Sequence, residues 1–82
     1  MTDYTPIDCR TYGEFERAII AGQRLQVSWR DADGMDHLGI LVPVDLETCR
    51  GEEFLIARNE RGEQLRLRLD FVRRATPVPA KP

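Results

Sequence analysis

The sequence predicts a mainly β (α+β) domain, in which one N-terminal helix precedes a small, partly open β-barrel of about five antiparallel strands. Three observations support this fold class. A chain of 82 residues can close one hydrophobic core but cannot divide it between two. Apolar residues recur at helical spacing only near the N-terminus, and they alternate with polar residues afterwards. A sheet of such short strands protects its edges most easily by curling into a barrel.

The helix is predicted at about residues 12–21. Thr11 and Glu14 match a capping box, in which the threonine hydroxyl accepts from the Glu14 backbone N–H and the carboxylate reaches back to Thr11. The apolar positions of one helical face follow at Tyr12, Phe15, Ala18 and Ile19. Gly22 supplies the left-handed residue that commonly ends a helix.

The strands are predicted at about residues 24–30, 35–44, 53–58, 64–69 and 70–74. Between the first two, Arg30–Gly34 has the composition of a tight turn, so the second strand should fold back antiparallel on the first. The second strand is long enough to serve two parts of the sheet if it bends, and a bend is cheapest at Gly39. Pro43 has no N–H and must face an edge or a bulge.

A single domain is therefore predicted over residues 1–74, and a disordered Pro-rich tail over residues 75–82. A small Sm-like barrel fits this order of elements best. An OB-type barrel is the main alternative, but it usually carries a helix between its third and fourth strands, and no segment of helical length lies there.

The charges of the chain are unevenly distributed. The net charge is −2, yet residues 1–49 carry a net −5 and residues 50–82 a net +3. A general nucleic-acid binder usually has a pI above about 9, so the sequence pI near 5.3 argues against that class. The acidic half is either a solvated face or a surface for a basic partner.

The cysteines and the histidine of the chain are not spaced as they would be in a metal, redox or catalytic site. Cys9 and Cys49 fit no zinc or CxxC pattern and are predicted to be free thiols of a cytoplasmic protein. His37 is the only histidine, and its simplest interpretation is a surface residue beside a turn. No nucleotide-binding or nucleophile motif occurs, and no apolar run approaches the roughly 20 residues that cross a membrane. We therefore expect no enzyme activity, no cofactor, no metal and no membrane contact.

The C-terminal half contains one candidate basic stripe, which consists of Arg66, Arg68, Arg73 and Arg74. An RNA-binding surface would interleave such arginines with exposed aromatic rings on which bases stack. The available aromatic residues alternate onto apolar faces and are predicted to lie in the core: Trp29, Phe54 and Phe71. Solvated strand arginines are the simplest interpretation, and contact with RNA or with a protein remains an alternative.

Several motifs occur together along residues 4–74. The chain opens with Tyr4-x-Pro6-Ile7-x-Cys9 and Tyr12, and continues with Phe15, Glu16 and Ala18. Later it contains the Asp33-Gly34 turn, Gly51-Glu-Glu-Phe-Leu-Ile56 and Leu65-Arg-Leu-Arg-Leu-Asp70. In these motifs the chain resembles the Rof family, also called YaeO, whose members are small bacterial Rho-binding antiterminators.

The resemblance implies an Sm-like barrel and a non-catalytic protein inhibitor, monomeric when free, that does not itself bind nucleic acid. It would bind the transcription termination factor Rho at or near its N-terminal primary RNA-binding site and block RNA loading, which causes antitermination. The partner-binding residues carried over from the family are Asp8, Cys9, Tyr12, Glu14 and Glu16. The family pattern is more acidic where this chain has Arg10, Thr11 and Gly13. A candidate secondary contact set is therefore Asp31, Asp33 and Asp36.

The alternative function is direct binding of RNA. An Sm-like protein can assemble into an oligomeric ring and bind RNA, and in this chain Arg66 and Arg68 would then contact the RNA. Such a protein would hold single-stranded RNA by itself, with an affinity that falls steeply as salt is added.

Overall fold

The computed structural model of the chain describes residues 7–79. The elements in chain order are α1 (Cys9–Ala21), β1 (Leu25–Arg30), β2 (Asp36–Cys49), β3 (Glu52–Asn59), β4 (Gln64–Arg68), a 3₁₀ turn (Leu69–Phe71) and β5 (Val72–Pro77). The strands form one sheet in the order β4-β3-β2-β1-β5, and every neighbouring pair is antiparallel. The predicted fold class is confirmed: an α+β fold with one N-terminal helix and the five-stranded sheet of a small, partly open β-barrel.

The helix begins at Cys9 rather than near Tyr12, so the predicted capping box at Thr11 is wrong. Asp8 is the N-cap, and its Oδ1 accepts a hydrogen bond from the Thr11 backbone N–H at 2.8 Å. An aspartate at this position satisfies one of the unpaired N–H groups of the first turn. The helix ends as predicted, because Gly22 adopts left-handed backbone angles (φ 63°, ψ 31°).

Strand β2 serves two parts of the sheet, as predicted, but not through a bend at Gly39. It pairs with β1 up to Leu41 and with β3 from Leu41 onward. The pairing with β3 shifts register between Pro43 and Asp45, which is where a residue without an N–H is tolerated. At Gly39 the Trp29 ring packs instead, about 3.8 Å from where a Cβ would lie.

Two strand ends lie beyond the predicted bounds. β2 continues to Cys49 because the turn that ends it is Arg50-Gly51, in which both residues have positive φ. β5 continues to Pro77, which pairs with Leu25, and the Val78 N–H donates to the Arg24 carbonyl at 2.9 Å. The predicted tail therefore belongs to the sheet as far as this point. Its residues 80–82 lie outside the described residues, as do Tyr4 and Pro6 of the opening motif.

The core lies where α1 packs against the sheet. It is formed by Phe15, Ala18, Leu25, Val27, Leu41, Leu55, Ala57, Leu67 and Leu69. The aromatic residues predicted for the core are only half-buried: Trp29, Phe54 and Phe71. Phe54 alternates with the fully buried Leu55 and so points to the other face of β3. Trp29 shares the core face of β1 with Val27 but lies near the end of the strand, opposite His37.

Candidate functional site

The five partner-binding residues predicted near the N-terminus are divided between two faces of α1. Cys9, Tyr12 and Glu16 are separated by three, four and seven positions and share one face of the helix. Asp8, the N-cap, precedes Tyr12 by four positions and lies at the start of the same side. Glu14 lies about 200° around the helix from Glu16. Its carboxylate instead forms an exposed ion pair with Arg10, with Nε and Oε1 separated by 3.6 Å.

Tyr12 is the half-buried centre of the first of these faces. Partial burial raises the pKa of its hydroxyl, and the negative charges of Glu53, Glu16 and Asp45 raise it further. Glu53 belongs to β3, Glu16 to α1 and Asp45 to β2. They lie near Tyr12 because the helix packs on β2, which is paired with β3. We call Tyr12, Glu16, Asp45 and Glu53 the acidic face. Asp45 and Glu53 were not among the predicted contact residues.

Asp8 and Cys9 lie at the start of the same side of the helix. Hydrogen bonding to the Thr11 backbone N–H is the main cause that lowers the pKa of the exposed Asp8 carboxyl. Asp8 is therefore both the helix cap and a fixed negative charge. Cys9 and Cys49 are exposed free thiols, as predicted.

The predicted secondary contact set lies in the β1–β2 hairpin and is largely engaged within it. Asp31 Oδ1 accepts from the backbone N–H groups of Asp33 and Met35, and its Oδ2 lies 2.7 Å from His37 Nε2. These bonds lower the pKa of Asp31, the His37 contact being the largest cause. Asp36 is 3.0 Å from Arg30 Nε, which lowers its pKa as well. The carboxylates of Asp31 and Asp36 thus organise the hairpin, and Asp33 takes part through its backbone N–H.

Arg66 and Arg68, the predicted RNA contacts, each bind a carboxylate of the chain and stack on an aromatic ring. Arg66 lies 3.1 Å from Glu47 and 3.7 Å above the Phe54 ring. Arg68 makes two hydrogen bonds to Asp70, at 2.8 and 2.7 Å, and its guanidinium lies 4.4 Å above the Phe71 ring.

These rings line an open groove of about 820 Å³ between the β1–β2 hairpin and β4, here called the aromatic groove. Trp29 stacks on His37 at its rim, with ring centroids 5.2 Å apart and planes 13° apart. The alternation of apolar residues did not predict this groove. The signal that could have revealed it is the pairing of Trp29 directly opposite His37 in the predicted hairpin.

A second groove of about 590 Å³ separates α1 from β5, and we call it the basic groove. Its charged lining residues include Arg17, Arg73 and Arg74. Among residues 7–79, no carboxylate lies within ion-pair distance of these three guanidinium groups. The predicted basic stripe is thus divided, with two of its arginines in this groove and two in the aromatic groove.

Two kinds of site are absent from the described residues. Within residues 7–79, no group of three or more His, Cys, Asp or Glu side chains is arranged to hold a metal ion. Over the same range no helix is long and apolar enough to cross a membrane.

Comparison with known proteins identifies a similar fold. No protein-family model matches the sequence, and no curated protein matches it. Among solved structures, the chain is similar to proteasome accessory factor B/C (PafBC) of Arthrobacter aurescens, with a TM-score of 0.75 and 15% identity. The similarity covers 93% of this chain and 12% of that chain. At this level of identity the likeness is one of fold alone: a helix and a five-stranded open barrel within a much longer protein.

Proposed function

We propose that this chain is a non-catalytic protein inhibitor of the transcription termination factor Rho. It binds as a monomer at or near the N-terminal primary RNA-binding site of Rho, prevents RNA loading and causes antitermination. The Rof-like motifs indicate this partner. The observation that carries the proposal is the acidic face, because it is the surface best suited to a basic RNA-binding site.

Charge complementarity supports this use of the acidic face. A site that grips RNA is basic, because neutralised phosphates supply much of its affinity. Glu16, Asp45 and Glu53 bring three carboxylates to one surface, drawn from a helix and two strands. Complementary charges speed association and fix the orientation of two partners. The half-buried Tyr12 supplies a ring and a hydroxyl at the centre, the kind of residue that dominates binding energy at interfaces.

A competition titration tests the proposal. Fluorescent cytosine-rich RNA is bound to purified Rho, and this protein is added to saturation while fluorescence anisotropy is followed. The proposal predicts that the RNA is displaced. It also predicts that the inhibition constant of this protein, corrected for the RNA affinity of Rho at each salt concentration, rises as salt is added because the charges are then screened. RNA that stays bound at saturating protein would show that this chain does not block the site.

A pair of matched variants locates the contact. Glu16→Lys reverses one charge of the acidic face and should weaken competition by about tenfold or more, which corresponds to about 1.4 kcal/mol. Glu14→Lys makes the same change in the same helix on the other side, and should alter competition by less than about twofold. Its loss of the exposed Arg10 ion pair should cost only about 0.5 kcal/mol of stability. Equal weakening by both variants would move the contact away from the acidic face.

The second candidate function is an RNA-binding ring that uses Arg66 and Arg68. The stacking of both guanidinium groups on phenyl rings of the aromatic groove favours it, because bases stack on such surfaces. Their existing bonds to Glu47 and Asp70 disfavour it, since a phosphate would have to displace a carboxylate. Single-stranded RNA bound by the protein alone, with a particle mass of several chains in light scattering, would favour the ring over the inhibitor.

A further inference from the structure

We propose that the basic groove binds an acidic peptide segment of another protein, held in an extended conformation as an added strand along β5. This surface lies on the opposite side of α1 from the acidic face and goes beyond the proposed inhibition of Rho. Its occupant is recognised by three features of the groove: a strand edge that pairs with no other described strand, arginines that form no ion pair with a carboxylate of residues 7–79, and a small apolar floor.

The free strand edge supplies backbone hydrogen-bonding groups. β5 is the last strand of the sheet order and pairs with β1 alone among the described strands. The Val78 N–H donates to the Arg24 carbonyl, so Thr76 and Val78 direct their backbone groups toward β1. Ala75 and Pro77, which alternate with them, lie at the outward positions and line the groove; Ala75 offers its N–H and carbonyl there, and Pro77 its carbonyl alone. An extended peptide could therefore continue the antiparallel ladder there.

The charge of the groove favours an acidic occupant. Arg17, Arg73 and Arg74 line it without an ion pair to any carboxylate of residues 7–79. The one acidic side chain among the lining residues is Glu14, which already pairs with Arg10. The aromatic groove differs in this respect, because its arginines are bound to carboxylates of the chain itself.

The floor of the groove favours a peptide over a nucleic acid. Its apolar lining is small and aliphatic, with Ala18, Val72 and Ala75 between helix and strand. The only aromatic residue of the lining is Phe15, whose side chain is buried in the core at 3% exposure, so no ring is available for base stacking. Alternate apolar side chains of an extended peptide could pack on this floor while the others face the arginines.

The free edge β4 of a second copy is a poorer occupant than an acidic peptide. That strand carries Arg66 and Arg68, so pairing it with β5 would bring arginines of both copies together. Like charges placed opposite each other across a strand pair are destabilising. We therefore commit to a peptide in which acidic and apolar residues alternate.

The test is direct binding to the full chain, without Rho. The probe is a short fluorescein-labelled peptide in which glutamate alternates with valine, and its anisotropy is followed as protein is added. Saturable binding that weakens with salt is expected, and a twin peptide with lysine in place of glutamate should not bind. Two further peptides carry N-methyl groups either on every valine or on every glutamate, and each of them blocks one edge of the extended peptide. Strand addition is overturned if both bind as tightly as the parent.

Charge variants locate the peptide. Arg73→Glu with Arg74→Glu should weaken binding by about tenfold or more. The matched control, Arg58→Glu with Arg61→Glu, makes the same charge change at exposed residues outside the groove and should leave binding nearly unchanged. If the first pair lowers the melting temperature, the exposed helical variant Arg17→Glu gives the same test without altering the sheet. The proposal fails if the control weakens binding equally, or if single-stranded RNA binds this groove and the peptide does not.

Discussion

Replacing Arg68 by methionine tests how much its largely buried ion pair with Asp70 stabilises the domain. The Arg68 guanidinium donates to both carboxylate oxygens of Asp70, from Nε at 2.8 Å and from Nη2 at 2.7 Å. The two side chains are only 13% and 4% exposed. Glu52 lies 3.5 Å from the same guanidinium and is more exposed, at 30%. Methionine keeps an apolar stem of similar shape but removes the charge and all donors.

The expected loss of stability follows from the burial of Asp70. In the variant its carboxylate would lose two charge-assisted hydrogen bonds while it remains out of water. Breaking a buried pair from one side costs about 3–5 kcal/mol, and we take about 3 kcal/mol because Arg68 keeps some contact with solvent. In a domain of this size each kcal/mol corresponds to about 4–8 °C. The melting temperature should therefore fall by roughly 12–24 °C.

Urea unfolding followed by circular dichroism measures this loss. The matched control is Arg66→Met on the same strand, where the ion pair to Glu47 is 50% and 48% exposed and the cost should be about 1 kcal/mol or less. Adding Asp70→Leu to Arg68→Met removes the carboxylate that lost its Arg68 hydrogen bonds and should recover much of the stability. The reasoning is refuted if Arg68→Met costs no more than Arg66→Met.

Two further predictions concern the helix. The pKa of Tyr12 should fall toward its ordinary value in Glu16→Gln and stay raised in Glu14→Gln, because only Glu16 is among the carboxylates that disfavour the tyrosinate. Near-ultraviolet absorbance titration with Tyr4 changed to phenylalanine measures it, and an equal fall in both variants would contradict the acidic face. The lowered pKa of Asp8 means that its cap stabilises the fold above the carboxyl's ordinary pKa, and that this stability is lost as the pH falls through the folded value. Asp8→Ala should lower the melting temperature at neutral pH and flatten its acid-side decline, whereas parallel curves of melting temperature against pH would show that Asp8 does not cap.

The fold could be predicted where local patterns and tertiary packing agree. Alternation through Leu65 and Leu67 assigned the core face of β4 correctly, and Gly34 and Gly62 have the positive φ that their predicted turns require. The β2–β3 turn was missed because Arg50 has a φ of 53°, and arginine rarely adopts that region. The prediction therefore ended β2 several residues too early.

The candidate site could be predicted only in part, because it draws on distant segments. The helical positions of Tyr12 and Glu16 follow from their spacing of four. That Asp45 and Glu53 lie near them depends on how α1 packs on β2, which no local pattern reveals. The half-burial of Trp29 also depends on tertiary packing, because it is set by which end of the barrel the helix covers. The packing of α1 therefore determines both the composition of the acidic face and the exposure of Trp29.

The position of α1 gives the uneven charge of the sequence a physical meaning. One side of the helix places Glu16 with carboxylates of β2 and β3, and the other places Arg17 with the arginines of β5. The net charge of −2 is thus a poor guide to either surface, because the acidic face carries several negative charges and the basic groove several positive ones. Charges on opposite sides of a helix are separated by its low-dielectric core and act on different partners. Glu14 lies on the basic side, so its reversal to lysine should strengthen the field of the basic groove while it leaves the acidic face unchanged.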